Sequence, residues 1–229
     1  METISSNRPK IVVIGSCNTD MVVKANRLPV PGETILGGTF YMNPGGKGAN
    51  QAIAAARLGA EVTFISKIGY DLFGLQALEI YRSEKINTEF IFTDQKSPSG
   101  VALISVDSFG ENSIIVAPGA SRSLSTEDIN KAEEKIKEAD IILMQLEVPI
   151  DTVEYAATIA NRYGKKVILN PAPASTLSNS FLNNVHTILP NRIEAEMLSG
   201  IKVMDVESAH LSSASAATLG DGTALLPIA

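Results

Sequence analysis

The chain has 229 residues, enough for one large α/β domain or two small ones, and its 45% hydrophobic and 19% charged residues are ordinary for a globular protein. A net charge of −6 speaks against a nucleic-acid-binding surface, which is usually basic. The polar N-terminus METISSNRPK lacks the apolar run of a secretion signal, and no apolar stretch is long enough to span a bilayer.

In chain order, Ile11–Gly15 (IVVIG) reads as a buried strand because branched residues run continuously up to a glycine. Gly48–Leu58 reads as an alanine-rich helix ended by Gly59, Glu61–Ile68 as a second strand and Leu72–Ser83 as a second helix. Thr126–Glu138 reads as one charged amphipathic helix capped by Ser125 or Thr126. After it come the strand Ile141–Leu146, the helix Ile150–Tyr163, the strand Lys166–Asn170 and the short strand Thr187–Leu189. Such alternation predicts a largely parallel sheet covered on both faces. Two regions break the rhythm. Asp20–Tyr41 has strand-like pieces around Leu28-Pro29 and Pro31-Gly32, and Val101–Val116 alternates on either side of a Phe109–Asn112 turn, as in a hairpin. Both fit a small separate sheet or an added edge on the main one. From Ala209 the composition shifts to Ser, Ala, Thr and Gly, and the chain stops without a closing amphipathic helix.

Polar side chains fall just beyond the carboxyl ends of strands, where parallel sheets bind ligands. In GSCNTD (Gly15–Asp20), an extended backbone points Asn18 and Asp20 to one side, an amide and a carboxylate for neighbouring hydroxyls; an Asx-turn explains them equally. In PGGKGAN (Pro44–Asn50), Gly46 and its neighbour allow close backbone approach. Lys47 and Asn50 share the first helical turn there, whose start offers free N–H groups; the competing reading is a glycine turn with a solvent-exposed lysine. A Walker loop is excluded by Tyr41 and Gly48 at its required positions, and a dinucleotide fingerprint by Gln51. Glu147 in MQLEVP follows an apolar strand halted by Pro149, placed either to accept from a sugar hydroxyl or to cap the next helix. Asn191 and Glu194, three apart at a helix start, suit hydrated magnesium and phosphates or a simple capping box. His186 and His210 lack partners at metal or triad spacing. The single cysteine, Cys17, reads as packed rather than nucleophilic, and it allows no intrachain disulfide, which fits a reducing compartment.

The order and wording of GSCNTD, LPVPGET, PGGKGANQAIAAARLGA, GENSIIVAPGA, MQLEVP, LNPAPA and LPNRIEAEMLSGI resemble the ribokinase branch of the PfkB-type sugar kinases, from Lys10 to about Ala209. The resemblance implies a three-layer, doubly wound, mainly parallel α/β fold over 1–208. Inserted segments at about 20–43 and 99–117 would build a small β-sheet lid that also joins two chains into a homodimer. It further implies a cytoplasmic enzyme transferring a phosphoryl group from ATP with Mg2+ to the 5-hydroxyl of ribose, with a monovalent cation, K+, in the family, whose loop does not occur in these residues. Deoxyribose or fructose are alternative sugars. Ribose would be held by Asn18, Asp20, Gly46, Lys47, Gly48, Ala49, Asn50 and Glu147. Asn191, Thr218 and Gly220 would serve the nucleotide, and Glu194 would act indirectly on magnesium. The family's G-A-G-D segment, bearing base and anion hole, does not occur in these residues. The stretch Thr218–Leu226 instead resembles the family's TLG-x-x-G-A-L-L strand and turn, which leaves Asp221 a poor candidate base. The segment 209–229 therefore reads as an atypical, shortened tail, and the expectation is a sugar-binding part with little turnover by itself.

Overall fold

Alternation within the first strand divides the protein into two cores. In this computed structural model, which describes residues 8–218 and 223–224, Val12 and Ile14 of β1 (Lys10–Ile14) point into one core and Val13 into the other. From β1 the chain enters β2 (Asn18–Lys24) and β3 (Thr39–Gly45), then α1 (Lys47–Arg57), β4 (Glu61–Gly69), α2 (Leu72–Ser83) and β5 (Ile91–Asp94). A hairpin, β6 (Gly100–Val106) and β7 (Asn112–Ala117), precedes a 3-10 turn at Gly119–Ser123. There follow α3 (Thr126–Lys131), α4 (Glu133–Glu138), β8 (Ile141–Met144), α5 (Ile150–Arg162), β9 (Lys166–Leu169) and α6 (Asn179–Leu182). The described chain ends through β10 (Thr187–Ile188), α7 (Arg192–Ser199), α8 (Val206–Thr218) and β11 (Thr223–Ala224).

Among the described residues the main sheet runs β11-β10-β9-β8-β1-β4-β5, and every pairing in it is parallel. Residues of α3 to α6 pack one face around Ile129, Ile136, Ile142 and Phe181, all fully buried. Residues of α1 and α2 pack the other around Ala52, Phe64 and Tyr81, whose rings meet edge to face at 5.4 Å. This is the α/β architecture expected from the alternation.

The two irregular regions form a sheet of their own, β3-β2-β6-β7, rather than an edge of the main one. Here β2 runs antiparallel to β3 and parallel to β6, while β6 and β7 make the expected hairpin. The strand pieces read at Leu28-Pro29 and Pro31-Gly32 are not strands. Proline lacks the N–H that a ladder needs, and the segment turns at Gly32 (φ +83°), closed by Glu33 N–H donating to Val30 O at 3.0 Å. The strands lie on either side of it. The helix read over Thr126–Glu138 is also corrected: it is two short helices meeting at Ala132, where Ala132 N–H bonds back to Ile129 O. That tightened turn keeps Ile129, Ala132 and Ile136 all facing the core at 0% exposure. Strand β5 was not among the strands read from the sequence, although Phe90–Thr93 is a run of strand-favouring residues. Helix α8 runs across residue 209, where the composition changes, so a helix does precede β11.

Candidate functional site

Strands β1 and β8 are neighbours, yet the chain leaves β1 toward β4 and leaves β8 toward β9. Adjacent strands whose connections depart in opposite directions leave a crevice beyond their carboxyl ends, the usual ligand position of an open α/β sheet. Here Ser16 follows β1 and Glu147 follows β8. Although 131 positions apart, they meet: Ser16 Oγ donates to Glu147 Oε2 at 2.5 Å.

The start of α1 closes the same crevice. Gly46 (φ +90°) turns the chain from β3 into the helix, and no side chain of α1 caps its first N–H groups. Tertiary partners do so instead. Lys47 N–H donates to Glu147 Oε2 at 2.9 Å, and Ala49 N–H to Ser16 O at 2.9 Å. The carboxylate thus lies at the positive end of an 11-residue helix, a favourable position for negative charge. Lys47 Nζ stands 4.0 Å from Glu147 Oε1. Gly48 is required by close approach: a Cβ there would lie 2.7 Å from Gly15 C and from Ser16 N and O.

Above this floor rises β2. Its register places Asn18 beside Gly45 and Gly100, and Asp20 beside Asn43 and Ala102. The two glycines are seats for β2 side chains: a Cβ on Gly45 would fall 2.0 Å from Asp20 Oδ1, and one on Gly100 2.1 Å from Asn18 Oδ1. Gly45 therefore makes room for a protein carboxylate. Asn18 is buried, and its Oδ1 has no partner among the described residues. Such an atom costs about 1–3 kcal/mol if left unmet. Burial first, and the nearby Glu147 charge second, push the Asp20 carboxyl above its ordinary value. Asp20, Lys47 and Glu147 therefore share one electrostatic site.

The remaining expected residues sort differently. Ala49 is fully buried and contributes packing and its N–H, while Asn50, on the first turn of α1, is exposed. Asn191 and Glu194 form a complete capping box at α7. Glu194 Oε2 accepts from Asn191 N–H and Oε1 from Asn191 Nδ2, each at 2.8 Å, and Asn191 Oδ1 accepts from Glu194 N–H at 2.9 Å. Each carboxylate oxygen of Glu194 thereby accepts one hydrogen bond, and the residue is buried. Among the described residues no cluster of three or more His, Cys, Asp or Glu side chains is arranged to hold a metal. Asn191 follows β10, two strands from β8, roughly 10 Å along the same rim at ordinary strand spacing. Thr218 ends α8, whereas Gly220 and Asp221 lie outside the described residues.

Cys17 is buried with its Sγ 2.9 Å from Tyr81 Oη, and burial pushes its thiol up to about 11, as a packed cysteine requires. A cleft of about 380 Å3 opens between β2, β3 and α2, lined by Asn18, Met42, Asn43, Phe73 and Gln76; among the described residues, Asn18 is the one expected residue that borders it. Ser16 and Gly100 were not singled out in the sequence. Ser16 had a signal in its place directly after the first strand, whereas Gly100 had none.

Residues 8–222 match the pfkB family of carbohydrate kinases. The chain is 46% identical over 202 residues to a ribokinase of Haemophilus influenzae, covering 88% of this chain and 66% of that protein. It is 40% identical over 194 residues to a deoxyribokinase of Salmonella typhi, covering 84% and 63%. The chain thus spans just under two thirds of the length of these relatives. A solved structure of Arabidopsis thaliana ribokinase complexed with ribose and ATP superposes with a TM-score of 0.82 at 31% identity, covering 93% of this chain and 70% of that one. Among the described residues, no helix is long and apolar enough to cross a membrane.

Proposed function

Because the chain belongs to the pfkB family of carbohydrate kinases, we propose that the crevice between β1 and β8 holds a pentose, ribose in the first instance, for phosphorylation at its 5-hydroxyl by ATP. The observation that carries this reading is the convergence of Ser16, Lys47 and Glu147, from three separate segments, beneath the lid strand bearing Asn18 and Asp20. A carboxylate with one oxygen still open, a carboxyl on the lid, a lysine and an unmatched amide oxygen together suit a ring of neighbouring hydroxyls. Deoxyribose is the nearest alternative, since a deoxyribokinase also stands among the relatives. Two lids pair in the homodimer of this reading, consistent with exposed Phe40, Leu103 and Ile115 on one lid face, and light scattering tests it directly.

ATP supplies the phosphoryl group, and such transfer depends mainly on positioning and charge stabilisation. The residues described here position the sugar. No G-A-G-D segment occurs in the 229 residues, which favours sugar binding without turnover by this chain alone. The test is a thermal shift with ribose, deoxyribose and fructose beside a coupled ADP-release assay. Ribose at a hundredfold excess over its dissociation constant adds about 2.7 kcal/mol, so Tm should rise by about 5 °C or more. No shift with any of the three sugars overturns the reading, and family-like ADP release overturns the non-catalytic part of it.

A further inference from the structure

We infer that Ser16 is a positioning residue that fixes Glu147 by occupying one of its oxygens and leaving the other for a single substrate hydroxyl; this rests on the sugar-binding reading above. Glu147 Oε2 receives two donors, Ser16 O–H at 2.5 Å and Lys47 N–H at 2.9 Å, and is thereby committed to the protein. No hydrogen bond engages Oε1 among the described residues, and the nearest charge is Lys47 Nζ, 4.0 Å away. The division is therefore one oxygen for orientation and one for ligand.

Ser16 is suited to the task by its surroundings. It is 1% exposed, so water does not compete for its hydroxyl. Its carbonyl is anchored to Ala49 N–H at 2.9 Å, and its Oγ lies 3.4 Å from Gly48 N as a weak acceptor. The backbone of β1 continues into it through Gly15, whose N–H donates to Ile65 O at 3.2 Å and whose carbonyl accepts from Ser66 Oγ at 2.7 Å. The hydroxyl is thus mounted at the end of an interior strand, held between β8 and β4. Without it, Glu147 keeps only the Lys47 amide as donor and is free to swing Oε1 toward the Lys47 ammonium. Asp20, whose carboxyl feels the Glu147 charge, would then face a carboxylate of undefined direction.

The test is a double-mutant cycle on ribose binding by calorimetry, using Ser16→Ala, Glu147→Gln and the double variant, with the ligand-free Tm of each recorded to follow folding. Ser16→Ala should weaken ribose binding about tenfold, the size expected when a charged acceptor loses one donor. In the Glu147→Gln background the same change should have little further effect. If Ser16 only holds α1 in place, its loss weakens ribose by the same factor in both backgrounds, and the inference fails. Equal ribose affinity in the wild type and Ser16→Ala also overturns it, while leaving the sugar reading intact. A wild-type chain that does not bind ribose at all removes both.

Discussion

Replacing Gly48 by alanine sets two effects of opposite sign against each other. Gly48 lies in the first turn of α1, where alanine is intrinsically better than glycine by about 1 kcal/mol. Propensity alone therefore predicts a more stable protein. Against this, the added Cβ would stand 2.7 Å from three backbone atoms, Gly15 C, Ser16 N and Ser16 O. These cannot turn aside as a flexible side chain would, because Gly15 and Ser16 are tied to β4 through Ile65 and Ser66 and to α1 through Ala49. Overpacking of this kind costs about 1–3 kcal/mol, and fixed backbone atoms place it at the upper end, leaving a net loss of about 2 kcal/mol after the propensity gain. For a chain of this size the expected fall in Tm is about 4–8 °C by scanning calorimetry. The displaced helix start also carries Lys47 N–H away from Glu147, so the ribose-dependent rise in Tm should shrink as well. Gly59→Ala is the control. Its φ of +97° makes alanine strained, yet no described residue lies within 4 Å of the new Cβ, so stability should drop while the ribose response persists. A Gly48→Ala protein at least as stable as the wild type would refute the close-approach reasoning.

Asp20→Asn should raise the ligand-free Tm at neutral pH while weakening ribose binding. Burial and the Glu147 charge raise the Asp20 carboxyl in the folded state, so its ionisation above the ordinary carboxylate range works against the fold and an uncharged amide relieves it; a lower Tm at pH 7 contradicts this. Asp128 has the opposite sign. Burial raises its carboxyl, but Lys67 Nζ at 2.8 Å and the Ser125 hydrogen bonds outweigh it and hold the group below its usual value. Its contribution is therefore present above the ordinary carboxylate pKa and lost as pH falls through and below it. Asp128→Ala strands Lys67, whose side chain is 16% exposed, and should cost about 3 kcal/mol, with a Tm loss at pH 7 that narrows steadily toward pH 3. A pH-independent loss overturns the ion-pair assignment.

What the sequence determined by itself was local. Continuous branched runs such as IVVIG and the alanine-rich stretch after GGKG can hardly form anything but a buried strand and a packed helix. Period-two alternation around Phe109–Asn112 made the β6–β7 hairpin legible, because its pairing closes over a few residues. The position of Glu147 beyond an apolar strand placed it at the rim formed by the strands' carboxyl ends. Its partner could not be read. The bond between Ser16 and Glu147 depends on β1 and β8 becoming neighbours across 131 residues, which no local pattern encodes. The same holds for Gly100, whose missing side chain matters only because β6 runs beside β2 and Asn18 needs the space. At Ala132 the tertiary core overrode a helical pattern by demanding that Ile129 and Ile136 point the same way. Periodicity is set by the chain's own geometry over one or two turns, whereas the site is set by which strand ends the sheet brings together. Only the assembled sheet decides that.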